Sequence, residues 1–117
     1  MNGLVADVLV DTDILIDHLR GVRRFEPGAA LVRYSVVTRA ELYAGRATEE
    51  GRVDMLLAAF VEVPVDRSIA QRAGRLRREH GLRLPDALIA ATALEFGLHL
   101  VTRNWKDFES VIGLRLA

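Results

Sequence analysis

The stretch VLVDTDILIDHL, residues 8–19, sets a short apolar run against a helical pattern with an aspartate at the joint. Continuous apolar runs of this length read as strands of a buried parallel sheet, and the carboxyl ends of such strands are where an open α/β sheet gathers ligand-binding side chains. The same arrangement recurs along the chain. YSVVTRAE spans Tyr34 to Glu41, LPDALIAATAL surrounds Asp86, and HLVTRN ends at Asn104 with Asp107 three residues on. Acids converging from several strand ends repel one another unless a cation lies between them, and an all-oxygen ligand set suits Mg²⁺ or Mn²⁺.

Working outward, strands alternate with helices over the whole length. Strand one is expected over Leu4–Val10 and a short helix over Asp13–Leu19, with Asp13 as its N-cap. A polar loop, RGVRRFEPG, runs from Arg20 to Gly28. Strand two follows over Leu31–Val37, and a helix opens at Thr38 and passes Tyr43 toward Arg46. A third helix covers about Glu49–Phe60, with Val53, Leu56, Leu57 and Phe60 at helical spacing, and strand three covers Val61–Val65. Helix four, Ser68–His80, is stopped by Gly81. Helix five opens at Pro85, is almost wholly apolar to Phe96, and ends at Gly97. Strand four is His99–Thr102, and Ile112–Leu116 offers a final edge strand. The expected architecture is a three-layer α/β/α domain spanning residues 1–117, with a mainly parallel central sheet of about four to five strands.

Composition narrows the function classes. The chain has 117 residues, zero formal net charge and no cysteine, so disulfides, thiolate zinc sites and cysteine nucleophiles are excluded and any metal must use O or N ligands. No apolar run approaches the roughly 20 residues that cross a bilayer, and MNGLVADVLVD has neither the basic start nor the cleavage site of a signal peptide. No membrane association and a cytoplasmic location are expected. Fifteen of the 16 basic residues are arginine, with Lys106 the exception. Arginine is the cation best shaped for bidentate contact with phosphate, although a GC-rich genome would give the same bias.

Each acid has a structural reading beside a functional one. Asp11 sits where strand hands over to helix; with Asp13 better placed to cap, Asp11 is left without a structural role. Glu41 is ambiguous, because Thr38-Arg39-Ala40-Glu41 matches a capping box in which the glutamate bonds back to the threonine N–H. Asp86 lies in the first turn of a buried helix, where the dipole stabilises it by about 0.3–1 kcal/mol, but an acid at the edge of a dry core needs a partner. Asn104 and Asp107 have the alternative of a simple turn after a strand. Asp17 reads as part of a solvated helix face, and His18, His80 and His99 do not cluster at ligand spacing.

The motifs LVDTDILIDHLRG, SVVTRAELYAG, LPDALIAATAL and LVTRNWKDFE, in this order and spacing, closely resemble the PIN-domain ribonucleases, specifically the VapC toxins of toxin–antitoxin pairs. The resemblance covers nearly the whole chain. It implies a metal-dependent endoribonuclease whose acidic quartet falls on Asp11, Glu41, Asp86 and the Asn104–Asp107 segment, which resolves Glu41 toward function. Where some members carry aspartate this chain has Asn104, so the resemblance leaves one metal or two open. Asp11 and Asp86 would hold Mg²⁺ or Mn²⁺, and an activated water would attack the phosphodiester in line, leaving 5′-phosphate and 3′-hydroxyl ends. Thr12, Asp13, Thr38 and Thr102 would support the carboxylates, and Arg20, Arg23, Arg24 and Arg83 would hold the RNA backbone. The resemblance also implies a VapB-type antitoxin whose tail packs beside the active site. Leu42, Tyr43, Met55, Leu56 and Phe60 are candidates for that contact or for a homodimer, with burial in the core the preferred reading.

Two other readings compete. Asp11-Thr12-Asp13 is also a D-x-D after a strand, as in phosphatases and receiver domains with an aspartate nucleophile; these leave Asp86 unexplained. A partner-binding protein with impaired catalysis, marked by Asn104, is the other.

Overall fold

A computed structural model of the chain describes residues 7–46 and 48–117. The expected strand-one residues Leu4 to Ala6 lie outside these. The described strands are β1 (Val8–Val10), β2 (Val32–Ser35), β3 (Val61–Val63) and β4 (His99–Val101), joined by the helices α1 (Thr12–Leu19), α2 (Val36–Tyr43), α3 (Glu50–Leu57), α4 (Arg67–His80), α5 (Leu84–Phe96) and α6 (Trp105–Phe108). They form one all-parallel sheet in the order β3-β2-β1-β4.

Strand periodicity separates the two layers of helices. Val8 and Val10 point to one face of the sheet and pack with Leu15, Leu42, Val53 and Leu57 of α1, α2 and α3. Leu9, between them, points to the other face and packs with Ile69, Ala73 and Leu76 of α4 and with Ala87, Ile89, Ala90 and Ala93 of α5. A strand buried on both sides must be apolar throughout, which is why VLV carries no alternation. The chain leaves β1 toward β2 and β3, then crosses back through α4 and α5 to place β4 on the opposite flank of β1. The order therefore reverses beside β1, and the crevice beyond the carboxyl ends of β1 and β4 is where such folds hold ligands.

Several boundaries differ from the sequence reading for identifiable reasons. β2 stops at Ser35 because the Ser35 hydroxyl oxygen accepts from the Val37 backbone N–H at 3.0 Å and caps α2, so Val36 and Val37 enter the helix despite their β-branching. β3 ends before Pro64, which has no N–H for the ladder. The tail forms no fifth strand: Gly113 turns the chain at φ 83°, and only Leu116 pairs with Leu100 through a single parallel bridge. α6 follows the Asn104 turn because Phe108, 1% exposed, anchors it in the core. Of the proposed interface residues, Leu42 is buried and Tyr43, Leu56 and Phe60 pack against the same cluster, while Met55 is exposed. No helix of the described residues is long and apolar enough to cross a membrane.

α5 buries Ala87, Ala90, Ala91 and Ala93 at 0–1% exposure, a small-residue surface that lets its backbone lie close to its neighbours. Ala90→Leu should therefore destabilise the fold by about 1–3 kcal/mol through overpacking, measured as a lower urea midpoint at unchanged slope. An unchanged midpoint would mean that α5 has room to spare.

Candidate active site

The reversal point collects Asp11 from the end of β1, Thr102 from the end of β4 and Asp86 from the start of α5. Asp11 is the N-cap of α1, contrary to the assignment of that role to Asp13: its Oδ1 accepts from the Thr12 N–H at 2.8 Å. Its other oxygen, Oδ2, accepts from the Thr102 hydroxyl at 2.8 Å, and the Thr102 oxygen accepts in turn from the Asn104 N–H at 3.0 Å. Asp11 is 4% exposed. Burial first, then the negative charge of Asp13, push its carboxyl up to about 7, against the opposing effect of the two hydrogen bonds; Asp86 adds a smaller upward push.

Glu41 projects from the last turns of α2. Its Oε1 accepts from the Thr12 hydroxyl at 2.7 Å, and the Thr12 and Thr38 hydroxyl oxygens lie 2.9 Å apart. Since the single Thr12 proton goes to Glu41, Thr38 donates to Thr12. The expected capping box is absent: α2 starts two residues before Thr38, so Thr38 lies inside the helix and Glu41 is free to turn toward the crevice.

Asp86, in the first turn of α5, accepts from Arg83 Nε at 3.2 Å; its side chain is 16% exposed and that of Arg83 74%. The Arg83 guanidinium is stabilised in its charged form first by this bond, with smaller contributions from the fields of Glu41 and Asp107. Asp107 is exposed in the first turn of α6, and Asn104 supplies the α6 N-cap position without a side-chain cap bond.

Asp13 faces elsewhere. Its carboxyl is raised chiefly by burial, and neither oxygen has a hydrogen-bond partner in good geometry, but Oδ2 lies 3.6 Å from Arg103 Nε. Arg103 Nη1 donates to both oxygens of Asp17 at 2.8 Å. Asp17 is 8% exposed rather than solvated. Its i,i+4 spacing from Asp13 was the available sign that both would face one cation; nothing in the sequence marked Arg103 as that cation.

Of the remaining arginines, Arg23 and Arg24 are exposed on the loop after α1, Arg24 lying 3.9 Å from Glu26. Arg20 lines a groove of about 210 Å³ between α1, α2 and α3, together with Ile16, Glu41, Leu42, Arg46 and Arg52. This groove runs up to Glu41.

Among the described residues no three Asp, Glu or His side chains stand close enough together to hold a metal ion as they are placed. The donor chemistry nonetheless suits a hard cation. Asp11 is a buried carboxylate penalised by its neighbours' charge, Asp86 and Glu41 are tied only through contacts that a side-chain rotation releases, and every donor is oxygen.

Comparison with known proteins defines the family. Residues 8–114 match the PIN domain family. Ribonuclease VapC10 of Mycobacterium tuberculosis is 45% identical over 109 residues, covering 83% of this chain and 82% of that protein. Ribonuclease VapC19 of the same organism is 36% identical over 117 residues, covering 86% and 90%. A toxin–antitoxin complex from Klebsiella pneumoniae superposes with a TM-score of 0.79 at 38% identity, over 92% of this chain and 95% of that one. The chain belongs to the PIN domain family, in its VapC branch.

The Asp11 environment has a measurable consequence for stability. Its folded-state value of about 7 lies above the ordinary 3.8, so the unfolded chain releases this proton first. The favourable contribution is fully present below about pH 4 and is lost as pH rises through about 7. In EDTA, Asp11→Asn should be more stable than the parent at pH 8 by about 1–4 kcal/mol and nearly equal to it at pH 4, seen by thermal unfolding across that range. A difference independent of pH would show that Asp11 is not strained by its charge.

Proposed function

We propose that this chain is a divalent-metal-dependent endoribonuclease, silenced by a VapB-type antitoxin. The single observation that carries the proposal is the buried Asp11 carboxylate at the reversal of strand order, fixed on both oxygens and repelled by Asp13 and Asp86. The two Mycobacterium tuberculosis relatives named as ribonucleases support the RNA assignment.

Asp11 and Asp86 would hold Mg²⁺ or Mn²⁺, with Glu41 and the Asn104–Asp107 segment beside them. When bound, such an ion polarises a phosphodiester oxygen and lowers the pKa of water in its shell. The chain's own residues do the rest. Thr12 and Thr102 fix one oxygen each of Glu41 and Asp11 with neutral donors, leaving the remaining lone pairs to face the ligand. Glu41, at the mouth of the groove, is placed to take a proton from an attacking water. Arg83 holds Asp86 through one exposed contact, and once released by a competing cation it would bind a phosphate. Arg20, Arg23 and Arg24 extend the contact along the RNA backbone, which positions the strand without reading its sequence.

The groove beside Glu41, with Ile16, Leu19, Leu42 and Val53 among charged residues in its lining, would receive the antitoxin tail, whose basic side chain would meet the acids. That the Klebsiella pneumoniae relative was solved as a toxin–antitoxin complex supports this partner.

The test is cleavage of a mixed structured RNA pool by the purified protein in Mg²⁺, Mn²⁺ or EDTA. Cuts bearing 5′-phosphate ends are expected with either metal and none in EDTA, with rates falling by at least about 100-fold in Asp11→Asn, Asp86→Asn and Glu41→Gln. Arg83→Ala should raise KM by about tenfold, the loss of one charged hydrogen bond, with a smaller effect on kcat. Cleavage that persists in EDTA or in Asp11→Asn would overturn the proposal. Absence of both cleavage and metal binding would favour a partner-binding role instead.

A further inference from the structure

The turn Thr102–Arg103–Asn104 carries the hydroxyl that holds Asp11 and the N–H that holds that hydroxyl. Thr102 gives its hydroxyl proton to Asp11, and the Asn104 N–H gives its proton to Thr102. Besides the Thr102 bond, the turn is tied to α1 by hydrogen bonds from the Arg103 side chain to Asp17, and the Arg103 backbone N–H favours the charged form of Asp13. Its guanidinium reaches across to α1, where one nitrogen serves both oxygens of Asp17 at 2.8 Å and Nε lies 3.6 Å from Asp13. Both acids have side chains only 11% exposed. They are one helical turn apart, so a forked cation fits against both, whereas an ammonium would sit on one.

We propose that Arg103 is a positioning residue of the metal site. Its fork on Asp13 and Asp17 seats the Thr102–Asn104 turn on α1, and so sets the Thr102 hydroxyl on Asp11 and the approach of Asn104 and Asp107. Arg103 touches neither substrate nor ion. The proposal rests on the metal reading of Asp11 given above.

Two roles for Arg103 predict opposite signs. If it only balances charge, removing a cation from beside an acidic site strengthens metal binding, because the field at Asp11 becomes more negative. If it positions, removal weakens metal binding, as loss of a supporting contact outside the ligand set commonly does by about 10–100-fold. Arg103→Lys separates the two further, since it retains the charge and loses the fork.

The experiment is a Mn²⁺ titration of the full chain followed by the EPR signal of free Mn²⁺, together with amide hydrogen exchange at Asn104. Arg103→Met and Arg103→Lys should both bind Mn²⁺ about tenfold more weakly than the parent. Exchange at the Asn104 amide should accelerate by a similar factor while Leu9 and Val10 in β1 are unchanged. Arg72→Met, which removes an exposed ion pair with Glu95 on another part of the surface, should alter neither readout. Parental or tighter Mn²⁺ binding in Arg103→Met, with parental binding in Arg103→Lys, would overturn the proposal in favour of charge balance. Should Arg103→Met fail to fold because Asp13 and Asp17 are left uncompensated, Arg103→Lys and the double variant Asp17→Asn/Arg103→Met carry the same comparison. Mn²⁺ binding that Asp11→Asn leaves unaltered would refute the metal reading itself. In that case the Asn104 exchange rate decides: faster exchange in the Arg103 variants sustains the seating of the turn, and an unchanged rate removes it.

Discussion

The Asp11 carboxylate is at once the cap of α1, the continuation of the central strand and the anchor for Thr102 from β4. Its backbone N–H also donates to the Val101 carbonyl at 2.9 Å, so the same residue closes the β1–β4 ladder. Two hydrogen bonds and the positive end of a helix dipole stabilise its charge, yet burial and the charge of Asp13 outweigh them. The surrounding fold offsets this cost. Leu9 and Val10, the two residues before it, are both fully buried, one on each face of the sheet, and each contributes roughly 1.5–3 kcal/mol by burial. A strand so firmly held can carry an unfavourable carboxylate at its end. A surface loop could not keep it there, because the loop would move and the charge would return to water.

The partners of the acids divide in an instructive way. Asp11 and Glu41 are held by hydroxyls, Thr102 and Thr12, which orient an oxygen without neutralising it. Asp13 and Asp17 are held by the guanidinium of Arg103, which is itself pinned by both. Neutral donors leave the attraction for a cation intact, whereas a fixed arginine cancels it. Asp17 is thus the acid whose charge is compensated internally, while Asp13, 3.6 Å from Arg103, still adds to the negative field at Asp11.

The sequence made the layers legible because strand and helix periods are physical properties of the chain. VLV with no alternation, the amphipathic pattern of Ser68–His80 and the alanine-rich apolar helix after Pro85 each had one plausible burial. Asp11 and Asp86 stood out as candidates because they adjoin those runs, whereas Thr12, Thr38 and Thr102 were named as supports of the site only with the family resemblance. What escaped depended on partners distant in sequence. Ser35 ended β2 two residues early by capping α2, and this dissolved the capping box expected at Thr38. The bond from Arg103 to Asp17 joins residues 86 apart, and α6 forms because Phe108 finds a hole in the core. No local propensity encodes either contact. Capping at Asp13 failed for a subtler reason: Asp11 and Asp13 have similar intrinsic capping ability, and the pairing of Asp11 with Val101 fixes which of them stands at the helix start.

Arg83 and Arg103 illustrate how the same side chain serves opposite ends. Arg103 is half-exposed, but it gives two hydrogen bonds to the nearly buried Asp17 and lies 3.6 Å from Asp13, so its contact is harder to exchange than a single surface bond. Arg83 is three-quarters exposed and meets Asp86 through a single contact across an i,i+3 spacing, so water screens the pair and its net worth is small. In the proposed reaction a divalent ion competing for Asp86 would displace a weak partner, and a phosphate competing for Arg83 would find it available at the moment Asp86 is taken. Under the proposed function the two exchanges favour each other: each removes the partner that the other must compete against. An antitoxin cation reaching the same acids through the groove beside Glu41 would oppose both, since it would satisfy the carboxylates without supplying the phosphate that releases Arg83.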